Sequence, residues 1–297
     1  MYENTIKKLT DYMEISGKTQ KQVSKETDLS TAVISQFLKG TYSGNNEEID
    51  RIIRKYLELV EKRKFNIDCV RYYDNLQNTK ITNFVCTYAH QHNDIALVCG
   101  DAGAGKTTAL EHYRDNNIGI VMVTANSCTS SAVAVLKLIS QKIGKSMNGR
   151  KDILMTELVN YFMDTNRLII VDEADHLTMA AVQALRNLND EAHVGIVLSG
   201  NDKLYNQMVS GAKCSELQQL RSRILVRRRV VNDYTIEEFR NIFPDVDNEC
   251  LGYLIQLARK ESLRTSIKLL KFTYALNPSV SVKTLAEVKK ELAEGLC

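Results

Sequence analysis

The sequence lacks the features that mark disulfide-rich, zinc-binding and membrane proteins. Its seven cysteines are scattered and form no C-x-x-C pair, which argues against a zinc site or a disulfide framework and fits thiols in a reducing cytosol. No apolar run reaches the roughly 18 residues that a membrane span needs, and the N-terminus has no apolar core of signal-peptide length. We therefore expect a cytoplasmic protein with no membrane partner.

The sequence also lacks a strong net charge, which is only +3 over 297 residues. An argument for nucleic-acid binding must therefore come from where the charges sit. A composition of 44% hydrophobic and 25% charged residues is ordinary for a globular protein. The length suggests two or three domains. We predict a helical domain at 1–62, a linker at 63–80, an α/β core at 81–232 and a helical domain at 233–297.

A glycine-rich stretch with the spacing G-x-x-x-x-G-K-T follows the apolar run Ile95–Cys99 and precedes helix-forming residues. Its glycines let successive backbone N–H groups surround a phosphate chain, and the following helix adds the positive end of its dipole. Lys106 is placed to reach the β- and γ-phosphates, and Thr107 to bind Mg²⁺. An ordinary turn needs no Lys-Thr pair at this offset. The sequence thus predicts a nucleoside triphosphate site formed by Gly100, Asp101, Ala102, Gly103, Ala104, Gly105, Lys106, Thr107 and Thr108.

Apolar strand-like runs alternate with helical periods between residues 95 and 232. This alternation predicts an α/β fold with a five-stranded parallel sheet, helices on both faces and ligands at the carboxyl ends of the strands. The candidate strands are Ile95–Cys99, Ile118–Val123, Leu168–Val171, Val194–Ser199 and Ile224–Val231.

Two later strand ends carry polar residues suited to hydrolysis. Asp172 is placed to hold Mg²⁺, partly through water, and Glu173 to orient or deprotonate the attacking water. The adjacent Asp-Glu pair favours ATP hydrolysis over the kinase and small-GTPase patterns. Asn201 can contact both the γ-phosphate and that water, although a Gly-Asn turn explains it equally well locally.

Arginines are concentrated after the fourth candidate strand. Arg221 and Arg223 are candidates for a guanidinium that completes the site of a neighbouring subunit. The sequence does not decide among three interpretations of the arginines at 227–229, which are a solvated strand end, a surface for an acidic partner and a DNA-facing patch. Arg264 can fold back on bound phosphates or be an ordinary surface arginine.

The first 60 residues contain two short amphipathic helical patterns separated by a tight turn, which resemble the helix-turn-helix of the phage-repressor family. Small polar residues at the start of the second helix can reach base edges in a major groove, and the first helix can bond a phosphate. A helical bundle for protein contact is the alternative. The predicted DNA contacts are Gln20, Thr31, Ala32, Ser35 and Gln36.

The motif order GDAGAGKT, LIIVDEADHL, VGIVLSGND, LRSRI and SLRTSIKLL resembles that of the AAA+ ATPases that assist transposition, the MuB-like and IstB-like proteins. The resemblance covers nearly the whole chain. It implies a P-loop AAA+ core, a small C-terminal helical lid and an N-terminal helix-turn-helix domain. The roles it implies are Walker A for Lys106 and Thr107, Walker B for Asp172 and Glu173, sensor 1 for Asn201, arginine finger for Arg223 (with Arg221 as second choice) and sensor 2 for Arg264. Ser262, before Leu263 and Arg264, departs from the glycine usual in sensor 2.

The same resemblance implies ATP and Mg²⁺ as cofactors and a homo-oligomer, a helical filament or ring with nucleotide at the subunit interfaces. It further implies assembly on double-stranded DNA with little sequence preference, delivery of that DNA to a DDE-type transposase and disassembly on hydrolysis, in the cytoplasm of a bacterial host. DNA candidates in the core are Lys142, Lys145, Arg150 and Lys151, which read equally well as a solvated loop. The alternatives are a replication helicase loader and an ATP-responsive helix-turn-helix transcription regulator.

Overall fold

The computed structural model describes residues 2–64, 73–145, 150–204, 206, 223–277 and 279–294. The chain divides into two units, residues 1–68 and 69–297. The first unit contains four helices: α1 (Glu3–Ser16), α2 (Gln20–Thr27), α3 (Thr31–Leu38) and α4 (Asn46–Lys64).

The turn between α2 and α3 depends on local capping. Thr19 forms a capping box at the start of α2, and the Ser30 hydroxyl accepts a hydrogen bond from the backbone N–H of Val33 at the start of α3. Asp28 ends α2 in the left-handed conformation with φ of 57°, which asparagine and aspartate tolerate better than most residues. The apolar faces of all four helices meet in one core, which includes Leu9, Val23, Ile34, Phe37 and Ile53.

The second unit is built on a five-stranded sheet in which every neighbouring pair is parallel. Its strands are β1 (Ile95–Gly100), β2 (Ile120–Thr124), β3 (Leu168–Asp172), β4 (Gly195–Gly200) and β5 (Arg227–Val230). Their order across the sheet is β2-β3-β4-β1-β5. The predicted sheet is therefore confirmed.

Two strands are shorter than the sequence predicts. β2 begins at Ile120 because Gly119 has a positive φ of 82° and Ile118 is 95% exposed, although the Gly119 carbonyl oxygen still accepts a hydrogen bond from the N–H of Leu168. β5 begins only at Arg227, although the carbonyl of Val226 still accepts a hydrogen bond from the N–H of Leu97.

Five helices of the described part of the chain cover the two faces of this sheet. One face packs against α5 (Gln77–His92) and α6 (Lys106–Asn116), and the other against α7 (Ala132–Lys142), α8 (Lys151–Phe162) and α9 (Met179–Ala192). Side chains alternate between the faces along each strand, as the two-residue period of a strand requires. α4 continues to Lys64 and α5 begins at Gln77, so both ends of the segment expected to be a linker, 63–80, are helical.

The C-terminal part of this unit is helical, with α10 (Ile236–Ile242), α11 (Asn248–Lys260), α12 (Leu263–Leu276) and α13 (Val282–Glu294). Thr235 and Glu238 form a capping box at the start of α10. These helices have their own apolar core, to which Leu76 also contributes. Among the described residues no helix is both long and apolar enough to cross a membrane.

Candidate functional site

A cavity of about 470 Å³ lies at the carboxyl edge of the sheet, between the glycine-rich loop and α12. One part is lined by the loop and by polar residues at the ends of β3 and β4. Another is apolar and contains Tyr73, Leu76, Ile242 and Ile267. The loop residues that line it are Ala102, Gly103, Ala104, Gly105, Lys106, Thr107 and Thr108, with Ala109 next in α6. A polar end beside an apolar end suits the triphosphate and the base of a nucleotide.

Glycine is required at three positions of the loop. Gly103 and Gly105 have φ of 72° and 92°, in the left-handed region that glycine adopts without strain. Gly105 immediately precedes the first residue of α6, so the loop leads directly into a helix N-terminus that can bind phosphate. At Gly100, with φ of 133°, an added Cβ would lie 1.9 Å from the carbonyl oxygen of Val230.

The Lys106 ammonium lies at the wall of the cavity. Its Nζ donates to the carbonyl oxygens of Gly100 and Asp101, at 2.9 and 2.8 Å. Burial lowers the pKa of this ammonium, while the carboxylates of Asp172 and Glu173 act in the opposite direction. A desolvated ammonium gains more from an anionic ligand than an exposed one does, so this position favours binding of a phosphate group.

Asp172 connects the loop to two strands. Its side chain is buried, its Oδ2 accepts a hydrogen bond from the Thr107 hydroxyl at 2.7 Å, and its Oδ1 accepts one from the Ser199 hydroxyl at 2.7 Å. Hydroxyl and carboxylate oxygens are the hard ligands that Mg²⁺ prefers beside substrate phosphates. The donor set therefore fits a Mg-nucleotide. Sequence reasoning missed Ser199, because nothing in the sequence indicates which strand neighbour faces Asp172.

Glu173 and Asn201 lie at the same edge of the sheet. Glu173 is exposed at the cavity and has a positive φ of 53°, so the chain turns sharply directly after β3. The Asn201 side-chain amide donates to Asp175 Oδ2 at 2.8 Å, and its backbone N–H donates to Asp175 Oδ1 at 3.2 Å. Asp175 thus fixes the orientation of Asn201. Ligand atoms of Glu173, Asp175 and His176 also lie within 4.8 Å of one another, beside the site already described.

Cations from α12 complete the lining. Arg264 lines the cavity together with Lys268 and Lys271, at positions that share one face of a helix. From the sequence only Arg264 is predicted, although the helical spacing of Lys268 and Lys271 from it could have indicated that all three share one face.

The candidates for an arginine supplied to a neighbouring subunit are placed differently. Arg223 Nη1 forms an ion pair with Asp190 of α9 at 2.8 Å, and its side chain is 57% exposed. Arg221 lies outside the described residues.

The predicted DNA contacts are distributed over both units, each considered by itself. In the first unit Thr31, Ala32 and Gln36 are exposed, and Gln20 and Ser35 are half-buried.

In the second unit Lys142, Lys145, Arg150 and Lys151 are all exposed. Two of them have partners within the chain. Arg150 pairs with Asp152 at 2.8 Å, and Lys145 Nζ lies 5.0 Å from the centre of the Tyr161 ring. Exposed ion pairs of this kind are weak, so these contacts leave DNA binding as a prediction.

The glycine-rich loop connects the parallel strand β1 to the helix α6. Thr107, just after the loop, bonds to the buried Asp172 at the end of β3. This combination defines the class of P-loop ATPases. Residues 89–208 match the family model of an AAA domain. The chain is 32% identical over 225 residues to the ATP-dependent target DNA activator B of Escherichia phage Mu, covering 75% of this chain and 71% of that protein. It is also 32% identical over 223 residues to the Mu-like prophage FluMu DNA transposition protein B of Haemophilus influenzae, covering 74% and 77%. The chain belongs to this family of transposition proteins and is an AAA+ ATPase.

Among solved structures, a chain of Drosophila ORC bound to DNA superposes with a TM-score of 0.50 at 14% sequence identity. The match covers 80% of this chain and 65% of that one. At this identity the likeness supports the AAA+ fold alone.

Proposed function

We propose that this chain is an ATP-dependent DNA-binding protein that assembles on target DNA, delivers it to a partner DDE-type transposase and disassembles on ATP hydrolysis. The observation that carries the proposal is the bond from the Thr107 hydroxyl to the buried Asp172 carboxylate at the glycine-rich loop, in a chain of this family. A Mg-nucleotide site of this kind is suited to limit how long an assembly lasts, because hydrolysis cleaves off the γ-phosphate that the groups of the site contact and leaves ADP.

Five residues of the cavity have a role in this proposal. Lys106 is placed to bind the β- and γ-phosphates, and Thr107 and Asp172 would hold Mg²⁺, which would supply positive charge to neutralise the transferring phosphoryl group. Glu173, exposed at the cavity, orients or deprotonates the attacking water. Asn201, oriented by Asp175, positions that water against the γ-phosphate.

Assembly enters the proposal through Arg223. Its guanidinium is more than half exposed and is held by Asp190, an arrangement that presents a cation to a neighbouring subunit. We infer that Arg223 completes the nucleotide site of the next subunit in a filament or ring, as an arginine supplied in trans does in other NTPases. Hydrolysis is then coupled to the presence of a neighbour.

DNA binding in this proposal is largely independent of sequence. The exposed residues of α3, Thr31, Ala32 and Gln36, are small or polar enough to enter a groove, and the exposed cations of the core are suited to contact phosphates. Binding through phosphate contacts weakens steeply with salt, because counterions are released on binding. The protein acts in the cytoplasm of a bacterial host, with the transposase as its partner.

The test is binding to random-sequence duplex DNA, followed by anisotropy with ATP, with ADP and without nucleotide. We expect salt-sensitive binding that requires ATP, is lost in Lys106→Ala and is retained in the control Lys283→Ala, which removes an exposed lysine of α13. Protection of one defined operator would contradict the proposal in favour of a transcription regulator. Tight binding to a replicative helicase, with no ATP-dependent DNA binding, would indicate a loader.

A further inference from the structure

Asn232, two residues beyond β5, joins the glycine-rich loop to α12. It is only 6% exposed. Its Nδ2 donates to the carbonyl oxygen of Ala102 at 3.0 Å, and its backbone N–H donates to Asp101 Oδ2 at 2.9 Å. Its Oδ1 accepts a hydrogen bond from the backbone N–H of Leu263 at 3.2 Å. One buried side chain thus binds the loop through its donor and the helix through its acceptor.

Two further buried residues support this amide. The Tyr234 hydroxyl lies 3.4 Å from both Asn232 Oδ1 and the Ala104 carbonyl oxygen. Asn78 of α5 donates to the Tyr234 oxygen at 3.2 Å and to the Val231 carbonyl oxygen at 2.8 Å. Since the polar atoms of this network satisfy one another away from water, its geometry is fixed more firmly than that of a surface contact.

The bond from Leu263 is at a sensitive position. The first N–H groups of a helix have no partner inside the helix, and the Ser262 side chain caps only the N–H of Thr265. Asn232 satisfies the N–H of Leu263, the residue directly before Arg264. The loop also touches this helix start directly, because a Cβ on Gly103 would lie 2.8 Å from the Cβ of Ser262.

We propose that Asn232 is a positioning residue that fixes the start of α12 against the phosphate loop and so places Arg264 at the bound triphosphate. The inference rests on the proposed function and on the sensor 2 role that the sequence resemblance implies for Arg264, which lines the cavity. A displacement of the loop by a nucleotide is passed through the amide of Asn232 to the helix that carries this arginine. Without the amide, α12 is free to move relative to the loop, and the guanidinium loses its fixed distance from the phosphates.

The test is a double-mutant cycle on the affinity of the full chain for a fluorescent, slowly hydrolysed ATP analogue with Mg²⁺. It uses Asn232→Ala, Arg264→Ala and the double variant. Loss of buried hydrogen bonds at the site predicts about tenfold weaker binding for Asn232→Ala. In the Arg264→Ala background the same substitution is expected to weaken binding less than about twofold, because the group it positions is gone.

Asn189→Ala is the matched control. Asn189 is an equally buried asparagine, and its Nδ2 bridges the carbonyl oxygens of Asn93 and Val194 at 2.9 and 2.8 Å, at the edge of the sheet opposite the nucleotide cavity. We expect it to lower the thermal midpoint as Asn232→Ala does, but to leave analogue affinity within about twofold.

If Asn232→Ala does not fold, Asn232→Leu replaces it, since leucine has nearly the same size as asparagine and removes both the donor to Ala102 and the acceptor for Leu263. The inference is overturned if Asn232→Ala weakens analogue binding equally in the parent and in the Arg264→Ala background. It is also overturned if Asn232→Ala alone, or Arg264→Ala alone, leaves analogue binding unchanged. Analogue affinity is measured without DNA, so a negative result here does not test the proposed DNA binding. Conversely, a failure of ATP-dependent DNA binding would not change the interpretation of the double-mutant cycle.

Discussion

Replacing Ser199 by alanine removes one of the two hydroxyl groups that hold the Asp172 carboxylate. Ser199 is fully buried, and its Oγ lies 2.7 Å from Asp172 Oδ1. A hydrogen bond to a charged group contributes about 1.5 to 3 kcal/mol, and a buried acceptor left without a donor costs a comparable amount. We therefore expect Ser199→Ala to lower the free energy of unfolding of the second unit by about 1.5 to 3 kcal/mol.

The assay combines stability with metal dependence. Urea unfolding followed by circular dichroism gives the loss of stability, and a Mg²⁺ titration of ATPase activity gives its functional consequence. Without the Ser199 hydroxyl, Thr107 is the one side chain among the described residues that still donates a hydrogen bond to the Asp172 carboxylate. We expect the Mg²⁺ concentration for half-maximal activity to rise by about three- to tenfold, which corresponds to about 0.7 to 1.4 kcal/mol of lost orientation.

Ser140→Ala is the control for this prediction. Ser140 is also a buried serine, but its hydroxyl donates to a neutral acceptor, the carbonyl oxygen of Lys145. Its removal is expected to cost about 0.5 to 1.5 kcal/mol and to leave the Mg²⁺ titration unchanged. If Ser199→Ala lost no more stability than this control and kept the parent Mg²⁺ requirement, the reasoning about Asp172 would be refuted.

Three further substitutions test the loop and its chemistry. Burial lowers the pKa of Lys106 below its ordinary value of 10.5, so the charged form costs stability at neutral pH. Without nucleotide, we expect Lys106→Met to have a melting temperature no lower than that of the parent, and the difference between the two should shrink as the pH approaches 10.5. Mg-ATP should raise the melting temperature of the parent but not that of the variant. A variant that melts well below the parent without nucleotide would contradict this. Glu173→Gln should bind the ATP analogue normally while hydrolysis falls by about 10² or more; normal turnover would exclude Glu173 as the base. Gly100→Ala places a methyl group 1.9 Å from the Val230 carbonyl oxygen and should cost more than about 3 kcal/mol, checked by urea unfolding; parent-like stability would contradict that geometry.

Much of the nucleotide site follows from local sequence. The loop spacing, the apolar run before Asp172 and the position of Asn201 after a strand each depend on a few adjacent residues, and the parallel sheet brings all three to one edge. This part was predictable because the carboxyl ends of parallel strands meet at the same side of a sheet.

The contacts that hold these groups were not predictable in the same way. Ser199 meets Asp172, and Asn232 meets Ala102, across large distances in sequence and through side chains whose direction depends on packing. The orientation of Asn201 depends likewise on Asp175, which follows a sharp turn at Glu173. Sequence patterns predict the buried faces of helices and strands and the positions where strands end. They do not predict which polar side chains form hydrogen bonds with one another in the interior.

The strand limits differ for a related reason. The apolar residues Ile118 and Ile224 extend the sequence patterns of β2 and β5, yet both lie outside the strands. Ile224 is buried in the core although it is not in a strand, and Ile118 is exposed. Hydrophobicity alone therefore marks neither burial nor strand geometry at the edges of a sheet.

In the proposed function, nucleotide binding at this site drives assembly on DNA. Electron microscopy tests this on the purified chain with plain duplex DNA and a slowly hydrolysed ATP analogue, beside samples with ADP and with no nucleotide. We expect regular oligomers on DNA with the analogue, few or none with ADP, and none for Lys106→Ala. Monomers under every condition, from a protein that binds the analogue, would contradict it, because Arg223 would then have no neighbouring site to complete.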